Sequence, residues 1–213
     1  SNYLQQDFFL FENDQELSFR FRFTQRRALN EFSSGYEQIY NRERSLRIKF
    51  KMVKEISNQT DIVNQIENVS APVNSNRRRQ ISSNNLTSEF SYRPDKNIEV
   101  GFRIKVGNSE DTYPDIPTII DMNSQLLRFN LSFLGTGRLR IEIERNELIA
   151  NTKENFIPYE LTNGNQIGKN YYWRLNFDYK LLTFLQTTIS YDGRLQGESR
   201  AVHTARAEAR AYF

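Results

Sequence analysis

The chain has 213 residues with 29 basic and 26 acidic side chains, one histidine and no cysteine, and its formal net charge is +3. The lack of cysteine excludes a disulfide framework, a thiolate metal site and a cysteine nucleophile, and so small a charge gives no reason to expect a nucleic-acid partner. Charged residues make up 26% of the chain and no stretch approaches the ~20 apolar residues of a membrane helix, while 16 Phe and 11 Tyr argue against disorder.

Alternation of apolar and polar residues is the dominant pattern, and it is typical of strands with one face turned away from water. Residues 3–11 alternate weakly, residues 26–44 form either a missed hairpin or a plain long turn, and residues 57–69 suit a short helix inside a loop. The clear alternating segments begin at Leu17, Leu46, Leu86, Ile98, Leu127, Leu139, Tyr171, Leu185 and Ala205. The sequence therefore predicts an all-β protein, an antiparallel up-and-down meander of about ten strands.

The connections between these segments alternate in length. Short turns near residues 93–97 and 134–138 contain Pro, Gly, Asp or Asn, the residues that turns prefer. Short turns at one end of a meander and long loops at the other are the connection pattern of transmembrane β-barrels. We therefore expect residues 1–213 to form a single β-barrel domain or a fragment of one. The long polar loops are expected near residues 57–85, 107–124 and 145–170.

One face of the predicted strands excludes charge, because none of its 38 positions in the nine clear segments is a charged residue. A charged side chain facing lipid at the bilayer midplane costs roughly 2–4 kcal/mol, so this face is expected to meet the membrane. Aromatic residues at both ends of the segment beginning at Tyr171 are typical of interfacial girdles. The predicted membrane-facing residues are Phe19, Phe21, Phe129, Phe133, Tyr171, Trp173, Phe177 and Tyr179.

The opposite face is polar, and its basic residues outnumber its acidic ones, which predicts a basic interior. Two interpretations stay open: a narrow barrel filled by ion pairs, with Arg206 and Glu208 beside Asp178 or Asp192, or a channel or pocket that favours anions. The predicted lumen-lining residues are Arg128, Arg140, Glu142, Arg174, Asp178, Arg206, Glu208 and Arg210.

A soluble, secreted or periplasmic β-sandwich that acts as a binding module is the alternative, because its inner face also excludes charge. Long strands, alternating connection lengths and a final strand that ends in Phe213 favour the membrane protein. The two folds differ in whether residues such as Phe19, Phe129 and Trp173 pack against a second sheet.

The last thirteen residues, Ala-Val-His-Thr-Ala-Arg-Ala-Glu-Ala-Arg-Ala-Tyr-Phe, resemble the C-terminal signal of bacterial outer-membrane β-barrel proteins. That signal is an alternating strand ending in Phe, and its apolar residues are usually larger than the alanines found here. The resemblance implies a bacterial outer-membrane location, contact with outer-membrane lipid, and recognition of Tyr212 and Phe213 by the barrel-assembly machinery. The stretch from about Asn84 also resembles the C-terminal part of large Bacteroidetes- and Chlorobi-type outer-membrane proteins, which implies other subunits or missing N-terminal domains as partners.

Motifs for phosphate binding, metal binding or a serine nucleophile are absent from the sequence. His203 falls on the apolar side of the last strand with no polar partner evident, and the acidic residues within 110–121 lack the spacing of a calcium loop. The arginine run 77–79 is interpreted as a solvated loop. No catalytic residue, metal or cofactor is predicted, and the chain is expected not to be an enzyme. The predicted function is that of an integral outer-membrane β-barrel: an anchor, a porin-like transport pore or an assembly component.

Overall fold

Antiparallel strands follow one another along almost the whole chain. The computed structural model describes residues 1–14, 16–33, 35–72, 77–133, 135–151, 157–162 and 164–212. The described residues form eleven strands and one short helix. In chain order these are β1 (Asn2–Leu10), β2 (Leu17–Phe32), β3 (Gly35–Val53), β4 (Ile56–Ser70), β5 (Arg79–Asp95), β6 (Ile98–Asp111), β7 (Thr118–Phe133), β8 (Gly137–Ala150), α1 (Tyr159–Thr162), β9 (Gly168–Leu182), β10 (Leu185–Gln196) and β11 (Val202–Ala211).

The strands form one sheet in sequence order, and every consecutive pair is antiparallel. Over the residues described, β1 pairs with β2 alone and β11 pairs with β10 alone, so these two strands are the edges of the sheet. Phe21 and Phe133 are exposed, and Phe19 and Trp173 are half-buried. The fold class predicted from the sequence is confirmed, and the β-sandwich is excluded because no second sheet is present among the described residues. None of the described helical residues belongs to a helix long and apolar enough to cross a membrane.

The register brings the apolar stripes of successive strands onto a single face. Phe21 lies opposite Leu46, Leu46 opposite Ile62, Ile62 opposite Leu86, and Leu86 opposite Val106. Since partners that lie opposite each other in a sheet project to the same side, this row and the rows beside it make one continuous surface. We call it the apolar face, and we call the other side of the sheet the polar face.

Many strands are longer than a membrane requires. A bilayer is crossed by ~9–11 tilted strand residues, whereas β3 has 19 residues and spans roughly 60 Å at ~3.3 Å per residue. The extra length lies toward the connections β4–β5, β6–β7 and β8–β9, at the edge of the sheet that we call the loop end. There the apolar face itself becomes polar, with Arg44, Asn64, Asn84 and Asn108 in successive strands.

These extensions correct four of the sequence-based expectations, three loops and one helix. Most of the predicted loop 57–85 is β4 and β5, and the other two predicted loops shorten to the connections 112–117 and 151–167. The helix expected at 57–69 is part of β4. Outside a membrane both faces of a strand meet water, so alternation disappears although the ladder of backbone hydrogen bonds continues.

Two segments whose structure the sequence did not decide are also β-strands. Residues 3–11 contribute most of β1, and residues 26–44 form the outer part of a hairpin in which β2 pairs with β3 as far as Phe32 and Gly35. Gly35 begins β3 with φ 130°, a backbone conformation that glycine adopts without steric cost. The missed-hairpin interpretation is therefore the right one.

The fully buried apolar side chains collect at the loop end of the polar face. Ile81, Ile120 and Leu148, from β5, β7 and β8, surround Leu161 of α1. The rest of the sheet has little apolar core, because its large apolar residues project from the apolar face and many of them are exposed.

Candidate pore wall

The two sets of side chains predicted from the sequence lie on opposite sides of the sheet. All eight residues predicted to meet the membrane project from the apolar face, and all eight predicted to line a lumen project from the polar face. The register thus separates the two sets as the alternation requires. The contact of individual residues with lipid or with a lumen stays a prediction.

Cross-strand ion pairs connect the side chains of the polar face. Arg47 Nε lies 2.6 Å from Asp61 Oδ1 between β3 and β4. Toward the other edge, Arg174 bridges two strands, with Nη1 3.2 Å from Glu142 Oε2 on β8 and Nε 3.0 Å from Asp192 Oδ1 on β10. Opposite charges on neighbouring strands favour this register, each pair contributing roughly 0.2–1 kcal/mol.

A tighter junction lies where β5, β6 and β7 meet. Arg128 of β7 contacts Glu89 of β5 and lies 3.4 Å from Glu99 of β6, and Arg103 of β6 lies 2.7 Å from Glu89. The Arg128 side chain crosses β6 above Gly101, where an added Cβ would lie 3.2 Å from Nη2 and 3.3 Å from Nε. Gly101 was not a predicted site residue, because a single strand pattern does not show what lies beside a glycine.

One predicted set of ion pairs does not form. Arg206 and Arg210 both pair with Glu208 on their own strand, at 2.5 and 3.1 Å, rather than with a carboxylate of β9 or β10. Asp178 instead accepts a hydrogen bond of 2.7 Å from the Thr188 hydroxyl. Residues two apart on one strand share a face, so Glu208 satisfies both arginines without a partner from the next strand. Arg140 donates to Asn130, on β7, at 3.1 Å.

Positive charge remains in excess on the polar face. Lys49 and Lys51 of β3 and Lys105 of β6 form no ion pair with any carboxylate of the described residues. Lys49 and Lys51 border a cavity of about 400 Å³ whose lining also includes Asp14, Glu89, Glu99, Arg93 and Arg128. The polar face therefore combines a network of ion pairs with three lysines that have no ion-pair partner among the described residues.

The described part of the connection between β8 and β9 packs against the polar face. We call residues 157–162 and 164–167 the inward segment. Leu161 is 0% exposed within the apolar cluster described above, and Ile157 packs against the same cluster. Ile81, Ile120 and Leu148 are buried apolar side chains at neighbouring positions of a mostly polar face, and they are the sequence signal that this segment packs inside.

Polar contacts tie the inward segment to β5 and β9, whose contacting residues are in turn bonded to β4 and β10. Arg79 of β5 lies 3.0 Å from Glu160 of α1 and 2.9 Å from Glu67 of β4. On β9, the Tyr172 hydroxyl donates to Asn165 Oδ1 at 2.7 Å and accepts a hydrogen bond from the β10 side chain Gln196, also at 2.7 Å. The segment is therefore anchored at both ends.

His203 lies in a small aromatic cluster on the apolar face near the loop end. Its Nδ1 is 2.8 Å from the Tyr191 hydroxyl, and its ring centroid is 5.5 Å from that of Trp173. The indole lies over Gly193, where an added Cβ would come within 2.0 Å of the ring. Amphipathic rings of this kind favour headgroup depth in a membrane.

Other candidate groups of the sequence have local partners. In the run 77–79, Arg77 lies 3.5 Å from Glu37, Arg78 donates to the carbonyl oxygens of Ala71 and Pro72, and Arg79 makes the ion pairs given above. Asp111 accepts backbone hydrogen bonds from Gln80 and Tyr113. No group of three or more potential metal ligands occurs among the described residues.

The predicted assembly signal is described only in part. The backbone N–H of Tyr212 donates to the Phe184 carbonyl oxygen at 2.8 Å, and the Tyr212 side chain is exposed. Phe213 lies outside the described residues.

Comparison with known proteins identifies the fold. No family profile and no curated protein sequence matches the chain. Among solved structures, OmpT of Vibrio cholerae has a TM-score of 0.55 at 9% identity, with 94% of this chain covering 78% of that one. The CymD monoaromatic hydrocarbon channel gives 0.51 at 8% identity, with coverages of 99% and 73%. BauA, the ferric preacinetobactin receptor of Acinetobacter baumannii, gives 0.50 at 9% identity, with coverages of 97% and 41%.

These structures are bacterial outer-membrane β-barrel proteins, and the present chain shares their fold. The predicted fold class is confirmed, and the outer-membrane proteins that share this fold are in line with the predicted location and with contact with membrane lipid. The narrower resemblance to Bacteroidetes- and Chlorobi-type proteins has no support in the matches.

The prediction that the chain is not an enzyme is wrong. OmpT of Vibrio cholerae shares this fold at 9% sequence identity, and a match at that level shows the fold but assigns no role to the chain. The fold class therefore gives no ground for excluding catalysis. His203 has no evident polar partner in the sequence, whereas the Tyr191 hydroxyl lies 2.8 Å from its Nδ1 in the structure.

Proposed function

We propose that the chain forms the wall of an outer-membrane pore that passes small solutes and favours anions. The observation that carries this proposal is the polar face, where cross-strand ion pairs such as Arg47–Asp61 share the surface with Lys49 and Lys51 of β3 and Lys105 of β6. A lipid-facing apolar side and a charged inner side suit a water-filled barrel. One of the proteins with this fold, CymD, is described as a channel, which is in line with a pore.

The anion preference follows from the excess of positive charge. Fixed charges that line a narrow aqueous path raise the local concentration of counter-ions, and rings of Lys and Arg select anions in pores. The paired arginines contribute little to this field, since each has a carboxylate beside it. Lys49 and Lys51 are therefore expected to contribute more than Arg47 or Arg174.

Recordings from the refolded protein in planar lipid bilayers test this function. In a KCl gradient we expect single channels whose reversal potential indicates anion preference. Lys49→Glu should lower the anion-to-cation permeability ratio by about threefold or more, because it reverses a charge of the inner wall. Arg44→Glu is the matched control, since Arg44 is an exposed residue of the same strand on the other face, and it should leave the ratio unchanged.

Three results would overturn the proposal. Absence of channels from correctly refolded protein would contradict a pore. Channels that prefer cations, or that respond equally to the two charge reversals, would contradict the assignment of the polar face to the lumen.

We also propose that the barrel-assembly machinery is a partner and that it recognises Tyr212 and Phe213 at the end of β11. The exposure of the Tyr212 side chain beside an edge strand supports this partner. In vesicles that contain the purified machinery, Phe213→Ala should insert more slowly than the parent, while insertion into plain vesicles stays equal. Equal slowing in both kinds of vesicle would mean that Phe213 affects folding and is not recognised.

A further inference from the structure

We infer that the inward segment is the constriction that sets the size limit of the pore, and that Leu161 is the residue that holds it in place. This inference rests on the proposed pore. It assigns the narrowest part of the pore to the inward segment and the anchoring of that segment to Leu161.

The first step is the burial of Leu161. A leucine at the loop end of a polar wall would be expected to face water, yet Leu161 is 0% exposed. Ile81, Ile120 and Leu148, on three different strands, make the socket that receives it. Because these apolar side chains stand on the polar face, the segment lies on the inner side of the sheet and not above its rim.

The second step is the direction in which the segment runs. It leaves β8 and returns to β9, its neighbour in the sheet, so a short loop directly above those strands would connect them. Instead, Glu160 reaches Arg79 on β5, which is three strands away from β8. The segment therefore crosses the inner wall over β5–β8 near the loop end.

The third step is that the side of α1 opposite Leu161 faces away from the wall. Successive helical residues are about 100° apart, so Tyr159 and Leu161 project in nearly opposite directions. Leu161 is buried in the wall, and Tyr159 is 71% exposed. Tyr159 is thus on the side of α1 that faces away from the wall, toward the space that solute would cross.

The fourth step is the second anchor. Asn165 accepts the hydrogen bond from the Tyr172 hydroxyl, and the backbone carbonyl of Gln166 accepts a 2.7 Å hydrogen bond from the side chain of the buried Asn170. With Leu161 fixed on one side and these bonds on the other, the segment is held against the wall along its length. Loss of the apolar anchor should release the part that carries Tyr159.

Single-channel recording with polyethylene glycols of graded size tests the constriction. Leu161→Asp should raise the conductance by roughly twofold or more and admit larger polymers, because conductance follows the narrowest cross-section. Ile116→Asp is the matched control: Ile116 is 70% exposed in the β6–β7 connection at the same end of the sheet, and its replacement should change neither quantity.

Thiol labelling gives a second measurement that needs no channel, since the chain has no cysteine of its own. In the refolded protein a water-soluble maleimide should modify Tyr159→Cys at least tenfold faster than Leu161→Cys. This comparison keeps the inference testable if Leu161→Asp does not refold.

The possible results separate this inference from the pore itself. If the parent protein forms no channels, the pore is wrong and the constriction fails with it. If the parent forms channels but Leu161→Asp conducts as the parent does, the constriction alone is wrong. Equal labelling of the two cysteines would also overturn it, because Leu161 would then not be held in the wall.

Discussion

At the scale of single residues, the junction around Arg128 shows how a glycine supports a charged wall. Arg128 contacts Glu89 and Glu99 on two neighbouring strands, and Gly101 leaves the space through which its side chain passes. Glycine in the interior of a strand is unfavourable by itself, and it often marks a place where another group approaches closely. Here the approaching group is a guanidinium that joins three strands.

This contact predicts the effect of filling the space. Gly101→Val should lower the free energy of unfolding by about 1–3 kcal/mol, because it displaces Arg128 from two half-buried carboxylates and breaks the ion pairs that join three strands. Urea unfolding in detergent micelles measures the change. In an Arg128→Gln background the same substitution should cost clearly less, and equal costs in both backgrounds would show that Gly101 acts by some route other than Arg128.

At the scale of the strand, β2 passes through two environments. Phe21 lies in the apolar band opposite Phe8 and Leu46, whereas Leu29 lies on the same face in the outer hairpin opposite Gln38. Both side chains are exposed. We expect lipid around Phe21 and water around Leu29, so one strand provides an internal comparison of the two solvents.

A matched pair of substitutions on β2 measures this difference. Phe21→Arg should destabilise the protein refolded in lipid vesicles by about 2–4 kcal/mol, the cost of a cation at the lipid face near the midplane, whereas Leu29→Arg should cost less than ~1 kcal/mol. Urea titrations in vesicles give both values. Equal costs at the two positions would place the membrane boundary somewhere other than between Phe23 and Leu29.

At the scale of the whole molecule, the sequence predicts the part of the fold that alternates. A stripe such as Leu127, Phe129, Leu131 and Phe133 can be recognised because lipid requires an apolar residue at every second position. The same reasoning fails for the outer half of β4, because water on both faces removes the requirement. The residue pattern of a stretch such as 57–69 is then equally compatible with strand, loop and helix.

For the candidate pore wall, the sequence predicts the face on which a side chain lies but not its partner. Alternation assigns Arg174 and Arg206 to the polar face, but their partners depend on register, which links segments far apart in the chain. Arg174 pairs across strands and Arg206 does not. The burial of Leu161 could not be predicted for the same reason, because the pocket that receives it is built by residues from three separate strands.

The number of strands has a geometric consequence. Consecutive strands in this sheet alternate in direction, so β1 and β11, the first and last of eleven in the part of the chain that the structure describes, point the same way across the membrane. A seam made directly between them would be a parallel pair, with evenly spaced, slanted hydrogen bonds, in a sheet that is antiparallel everywhere else. A cylinder that stays antiparallel all the way round requires an odd number of further strands between those two edges.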